Sequence, residues 1–208
     1  MDALQIFRFL RDDIHTVVMA TADGEGNPVT CAVDIMDADE GGLYFLTARG
    51  KSLYSRLKAR PQLSLTGIKG SSTLTSVAIT VSGLCREAGE EELRTLLDKN
   101  RYMYEIYPTE ASRAALAAFR IYRGRGEVFD LSKLPIERTN FTFGGDASAE
   151  PAYFITESCT ACGKCAEVCP QGCISFEGGR ASIAQRHCLR CGNCMAACPC
   201  GAVVLKSI

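Results

Sequence analysis

The residues with the clearest chemical capacity are cysteines. Ten of the twelve lie in the last fifty residues, in two runs of one spacing: Cys159-x2-Cys162-x2-Cys165-x3-Cys169-Pro170 and Cys188-x2-Cys191-x2-Cys194-x3-Cys198-Pro199. Thiolates at this density suit iron–sulfur clusters or zinc. A Cys-x2-Cys-x2-Cys loop can curl around a [4Fe–4S] cube and reach three iron corners, leaving the fourth to a more distant cysteine. Structural zinc sites space their cysteine pairs further apart and have no use for the third cysteine or the Cys-Pro. The spacing therefore points to two [4Fe–4S] clusters and to chemistry that moves single electrons. Regular Cys-x2-Cys spacing in a chain without a recognisable secretion signal argues against disulfides.

The two runs resemble the bacterial two-cluster ferredoxin, in which each run gives three thiolates to one cluster and its fourth to the other. This resemblance assigns Cys159, Cys162, Cys165 and Cys198 to one cluster, and Cys188, Cys191, Cys194 and Cys169 to the second. Around the cysteines the chain repeats itself every 29 residues, Cys159–Phe176 aligning with Cys188–Leu205, as a pseudo-symmetric pair of clusters requires. Gly163 and Gly192 are expected to let backbone amides approach cluster sulfur. Cys173 and Cys200 fall outside the repeated pattern and are expected to be small buried hydrophobes. Neither His15 nor His187 matches a ligand position. From residue 136 onward six acidic and six basic side chains cancel. The segment therefore lacks the acidic face of a freely diffusing ferredoxin, and its first redox partner is expected on the same polypeptide.

The elements that must serve such a wire lie upstream. Residues 1–14 form an apolar-faced helical pattern. Strand patterns follow at 15–23, 29–36, 43–47, the LSLTGI segment and 75–88. A helix begins at Ser52 and stops before Pro61, and 89–119 is helical in pattern with a break near Pro108. Residues 121–132 return to strand. Six strands with few helices predict a mainly β, α+β fold: an antiparallel six-stranded barrel, closed or nearly so, with flanking helices. Residues 136–152, with Gly144, Gly145 and Pro151, read as a linker. The expected organisation is a barrel over 1–135 and a small ferredoxin-like α+β domain over 153–208.

The segments TVVMATADGEGNPVTCAVDI, LYFLTARGKSLYSRLKARPQLSLTG and VAITVSGLCREA, closed by GRGEVFDLS, resemble the FMN-binding split barrel of the pyridoxamine 5′-phosphate oxidase-like family. The resemblance implies FMN lined by Thr30, Cys31, Ala32 and Val33 on the second strand and by Phe45, Leu46 and Thr47 on the third. Physical chemistry agrees at one point. A phosphate seeks backbone N–H groups at a helix start and a nearby cation, and Lys51 and Ser52 open a helix. The resemblance further implies a homodimer with FMN at the subunit interface, and makes Arg101, Arg123 or Arg125 second-chain contacts.

The expected function is an iron–sulfur flavoprotein oxidoreductase, passing electrons between two [4Fe–4S] clusters and FMN and reducing or oxidising a small substrate. The alternative is an electron-transfer subunit whose redox partner is a protein and which has no small-molecule substrate. A third reading is a binding or sensor barrel holding another ligand such as haem. Hydrolytic constellations are not evident. A formal net charge of -1 gives no reason to expect nucleic acid or a membrane surface as partner. MDALQIFRFLRDD lacks a basic start followed by an apolar core, so the cytoplasm is the expected compartment.

Overall fold

The computed structural model describes residues 1–145 and 150–207. Helix α1 (Ala3–Phe9) is opened by a capping box: Asp2 accepts from the Gln5 amide, and the Gln5 side chain accepts from the Asp2 amide. It runs into a π-helical turn, Leu10–Ile14, so the helical pattern over 1–14 is present but changes pitch. Strands β1 (Thr16–Ala22), β2 (Pro28–Asp39) and β3 (Gly42–Ala48), helix α2 (Ser52–Ala59), and strands β4 (Gln62–Lys69) and β5 (Val77–Glu87) follow. The helical pattern over 89–119 resolves into α3 (Glu90–Lys99) and two single-turn helices, α4 (Met103–Ile106) and α5 (Glu110–Arg113). Strand β6 starts at Leu116 rather than 121 and reaches Asp130. The run Leu116-Ala117-Ala118-Phe119 is buried along its whole length, and so lacks the alternation that marks a half-exposed strand.

Strand order β3-β2-β1-β4-β5-β6, with β3 and β6 paired, closes a six-stranded antiparallel barrel. The closing ladder runs from Leu43↔Ile121 to Ala48↔Leu116. Phe45, Phe119, Ile35, Met19, Ile79 and Val81 fill the interior at no more than 1% exposure. Gly42, at φ 133°, lies where a Cβ would meet the Ile121 carbonyl oxygen at 1.9 Å, so only glycine fits this corner.

Residues 136–152 were expected to be a linker, but Glu137–Phe143 forms β7, added beside β6. Phe141 and Phe143 alternate with polar residues, and Phe143 meets Phe7 edge to face at 4.9 Å. Residues 146–149 of the expected linker lie outside the described residues. The chain divides into two compact units: one consists mainly of Met1–Lys69 and Ala78–Glu127, and Gly70–Val77 and Val128–Asn140 group with the cysteine-rich segment in the other. Within the second unit, Arg186 pairs with Glu137 at 2.8 Å, and Ile136 donates to Gln171 Oε1 at 3.0 Å. Gly144 and Gly145, which read as linker, form the turn that ends β7, and Pro151 directly precedes β8.

In the cysteine-rich unit, β8 (Ala152–Ile155) pairs with β11 (Val203–Lys206), and β9 (Ile174–Glu177) with β10 (Arg180–Ile183). Helices α6 (Lys164–Glu167) and α7 (Asn193–Ala197) follow the first and second cysteine loops. Among the described residues no helix is long and apolar enough to cross a membrane.

Asp37 shows how the barrel is tied to its helices. Its carboxylate accepts from Arg11 NH1 at 2.9 Å and from Lys99 Nζ. Burial would raise it, but Lys99, the Ala38 amide and Arg11 hold it below the usual carboxylate value. A depressed folded value means that its stabilisation is present above the unfolded value of about 4 and is lost as pH falls through the lower folded value. Asp37→Asn should destabilise by about 1–3 kcal/mol at pH 7, measured by denaturant unfolding. The difference from wild type should vanish in acid below the folded value.

Candidate functional site

The cysteine loops repeat in backbone as well as in sequence. Ala161 (φ 54°) and Arg190 (φ 56°) are left-handed non-glycine residues 29 positions apart, and Gly163 (φ 84°) and Gly192 (φ 82°) match in the same way. This conformation turns the chain sharply around each loop and points amides at sulfur. Ala161 N donates to Cys159 Sγ at 3.5 Å, and Arg190 N to Cys188 Sγ at 3.4 Å. At the two Cys-Pro positions, burial would raise Cys169 and Cys198, but neighbouring backbone amides outweigh it and hold both thiols below the ordinary value. The leading amide donors are Cys173 and Gln171 for Cys169, and Ala202 and Cys200 for Cys198.

One cavity, with about 330 Å³ of empty space, is lined by Cys169 together with Cys188, Cys191 and Cys194. The fourth cysteine of the first run thus meets the three of the second. Cys159, Cys165 and Cys198 pack with the same apolar cluster as Ile174, Ile183 and Val203, and Cys162 is exposed. Among the described residues, no three His, Cys, Asp or Glu side chains converge on a site for a single ion. A cube takes one thiolate at each of its four iron corners, and the eight cysteines of the two runs supply two such sets. Cys173 is buried, as expected, with its sulfur 3.5 Å from Cys169 Sγ. Cys200, expected to be buried, is exposed, 3.7 Å from Cys198 Sγ. His187 Nδ1 lies 3.1 Å from the Ile136 carbonyl, in a structural role.

The barrel carries a second cavity, open to solvent and lined by β2, the end of β3, the start of α2 and the α4 region. It gathers Thr30, Cys31, Ala32, Val33, Leu46, Thr47, Lys51 and Ser52, eight of the nine residues expected to face FMN. Phe45 is the exception. Strand alternation turns it into the barrel, where it stacks on Phe119 at 5.6 Å with no exposed surface.

The cavity has a polar corner. Thr47 is 4% exposed, and its hydroxyl has no hydrogen-bond partner among the described residues, although buried polar groups are normally satisfied. Ser52 begins α2, whose N-terminus has no side-chain cap, leaving first-turn N–H groups available. Arg56 was not anticipated: its Nε donates to Thr21 Oγ1 at 2.7 Å and its NH1 to Ser52 Oγ at 3.0 Å. The i, i+4 spacing from Ser52 places both on one helix face, which was the available signal. Burial pushes the Cys31 thiol up, and Arg56 and Lys51 oppose this. An unsatisfied hydroxyl, two cations and a free helix start suit a phosphate, so these residues fit FMN.

Comparison with known proteins matches residues 5–127 to the pyridoxamine 5′-phosphate oxidase family model. The chain belongs to the pyridoxamine 5′-phosphate oxidase family. Residues 152–199 of this oxidase-family chain match a 4Fe-4S dicluster domain. Solved structures share the barrel. A NimC/NimA family protein from Clostridium acetobutylicum aligns at TM-score 0.57 and 16% identity, covering 67% of this chain and 90% of its own. The conserved hypothetical protein Rv2991 of Mycobacterium tuberculosis aligns at TM-score 0.54 and 18% identity, covering 64% and 88%. A heme binding protein from Mycobacterium smegmatis aligns at TM-score 0.53 and 16% identity, covering 68% and 58%. At these identities the likeness is one of fold. No curated protein matches the oxidase-family chain.

The glycine pair gives a test within the iron–sulfur unit. Alanine at either site meets left-handed strain of about 1–2 kcal/mol. At Gly192 a Cβ also lands 3.0 Å from the Tyr153 hydroxyl, whereas Gly163 has nothing within 4 Å. Gly192→Ala should therefore lower iron and acid-labile sulfide per chain more than Gly163→Ala does.

Proposed function

We propose that this protein is an FMN-dependent iron–sulfur oxidoreductase that passes electrons between two [4Fe–4S] clusters and FMN. The observation that carries this reading is the polar corner of the barrel cavity, where the unpartnered Thr47 hydroxyl, Lys51, Ser52 and Arg56 converge in a chain that also has a dicluster domain. When bound, the clusters relay single electrons and FMN pairs them for a two-electron substrate. Lys51 and Arg56 neutralise the phosphate, Thr47 and Ser52 offer it hydroxyls, and Thr30–Val33 pack beside the ring. The ligand sets are Cys159, Cys162, Cys165 and Cys198 for one cluster, and Cys188, Cys191, Cys194 and Cys169 for the other.

The open cavity favours a small-molecule substrate over a closed electron carrier. No basic run on β2 supports pyridoxamine phosphate in that role. The protein works in the cytoplasm as a homodimer with FMN at the subunit interface. Haem is the competing occupant, because the fold is shared with a heme binding protein. It would need an axial ligand, and the described lining residues include no histidine, leaving Cys31, Met36, Met103 and Tyr107 for that role.

The anaerobic absorption spectrum of reconstituted protein, before and after dithionite, decides between them. Flavin bands superimposed on a broad iron–sulfur absorption, both bleached on reduction, are expected; a haem band with no flavin would sink the proposal. Lys51→Ala and Arg56→Ala should each weaken FMN binding about 10- to 100-fold, since each removes a charged hydrogen bond of about 1.5–3 kcal/mol, measured by titrating apoprotein with FMN. Cys169→Ala should abolish the electron paramagnetic resonance signal of the second-run cluster and spare the other. Loss of the first-run cluster alone would refute the ligand exchange.

A further inference from the structure

The π-helical turn Leu10–Ile14 ends at His15, whose amide donates to the Leu10 carbonyl at 2.8 Å. His15 has φ 63° and ψ −66°, a backbone conformation that side-chain-bearing residues rarely hold. Ile35 N donates to the His15 carbonyl at 2.9 Å, pinning this corner to β2. The imidazole Nε2 then lies 3.7 Å from Asp34 Oδ2 and 3.4 Å from the Tyr102 hydroxyl. Tyr102 reaches Asp34 Oδ2 at 3.5 Å, and Thr16 Oγ1 donates to Asp34 Oδ1 at 2.6 Å. Tyr102 is held in place from the end of α3, where Lys99 bonds Asp37 and Asn100 Nδ2 donates to the Met36 carbonyl at 2.9 Å. Asp34 lines the barrel cavity, and the His15 side chain is 41% exposed. Backbone strain and π-turns of this kind concentrate at functional sites.

Clusters deliver electrons without protons, yet an organic group reduced by two electrons takes up at least one proton. The ionisable residues lining the cavity are Cys31, Asp34, Lys51, Arg56 and Tyr107. Lys51 and Arg56 serve the anionic corner, and burial pushes the Cys31 thiol up. Among the described lining residues Asp34 is the only carboxylate, and it is the one joined to a solvent-exposed imidazole.

We propose that Asp34 and His15 form a proton-entry path into the cavity, with Tyr102 and Thr16 as positioning residues; this rests on reading the cavity as a flavin site. Two electrons reach the acceptor in the cavity from a one-electron donor acting through the clusters. The Asp34 carboxyl gives the acceptor one proton, the His15 imidazolium re-protonates the carboxylate, and the imidazole takes a proton from water.

The test is anaerobic stopped-flow reduction of the holoprotein by dithionite, followed at the flavin absorbance across pH and in both light and heavy water. Asp34→Asn should slow reduction about tenfold or more and remove the solvent isotope effect. His15→Asn should slow it comparably and recover when imidazole is added to the buffer. Tyr102→Phe should slow it a few-fold. Iron content of each variant should match wild type, as should FMN affinity in His15→Asn and Tyr102→Phe. Wild-type rates in Asp34→Asn and His15→Asn, or no rescue by imidazole, would overturn the proton path while leaving the flavin reading intact. A reconstituted preparation that binds no flavin overturns both.

Discussion

Barrel closure through the β3–β6 ladder is the constraint on which the rest of the first unit depends. Strands β3 and β6 are far apart in sequence, so their pairing must offset the entropy of closing a long loop. It does so with six registered residue pairs and a stacked Phe45–Phe119 contact inside. The ladder stops at Ala48↔Leu116, and Arg49 N still reaches the Ala115 carbonyl at 2.8 Å. From that fixed end the chain turns directly into α2. Thr47, Lys51, Ser52 and Arg56 therefore meet because a strand end and a helix start are separated by three residues, Arg49, Gly50 and Lys51. Phe45 and Thr47 share one face of β3, so a slip of one residue would turn both away from the interior.

The β2 bulge is the second consequence of closure. Register shifts between Ile35 and Asp37, leaving Met36 as the extra residue. A bulge bends its strand and re-aims its side chains. Asp34, before the bulge, lines the cavity, and Asp37, after it, pairs with Arg11 and Lys99. The same strand thus serves both the cavity and the attachment of α1 and α3.

Much of this was legible in the sequence because the signals were local. Cysteine spacing is a short-range pattern, and the structure lines one cavity with Cys169, Cys188, Cys191 and Cys194. Strand alternation marked β1 to β5 for the same reason. Where the reading failed, a long-range contact had decided the outcome. Leu116–Phe119 looked helical because both faces of that stretch are buried. Glu137–Phe143 looked like linker because Glu137–Asn140 are all polar and the neighbouring Gly144 and Gly145 masked the short alternation around Phe141 and Phe143. Phe45 was assigned to the cavity by its position on a strand, although neighbouring residues on a strand face opposite ways. Arg56 had only its i, i+4 spacing from Ser52 as a signal, and the His15–Asp34–Tyr102 contact had no motif at all, since segments far apart in the chain compose it.

The repeat gives the two cluster loops one backbone but not one environment. Left-handed turns recur at 29-residue spacing, yet Cys188 is buried where its counterpart Cys159 is partly exposed. Tyr153 stands over Gly192, and nothing stands over Gly163. Cys173, with its thiol pushed up to about 12 chiefly by burial, contacts Cys169, whereas Cys200 beside Cys198 is open to water. Cluster potential follows solvent exposure and hydrogen bonding to sulfur. Clusters held by these symmetric ligand sets would therefore sit in unlike surroundings.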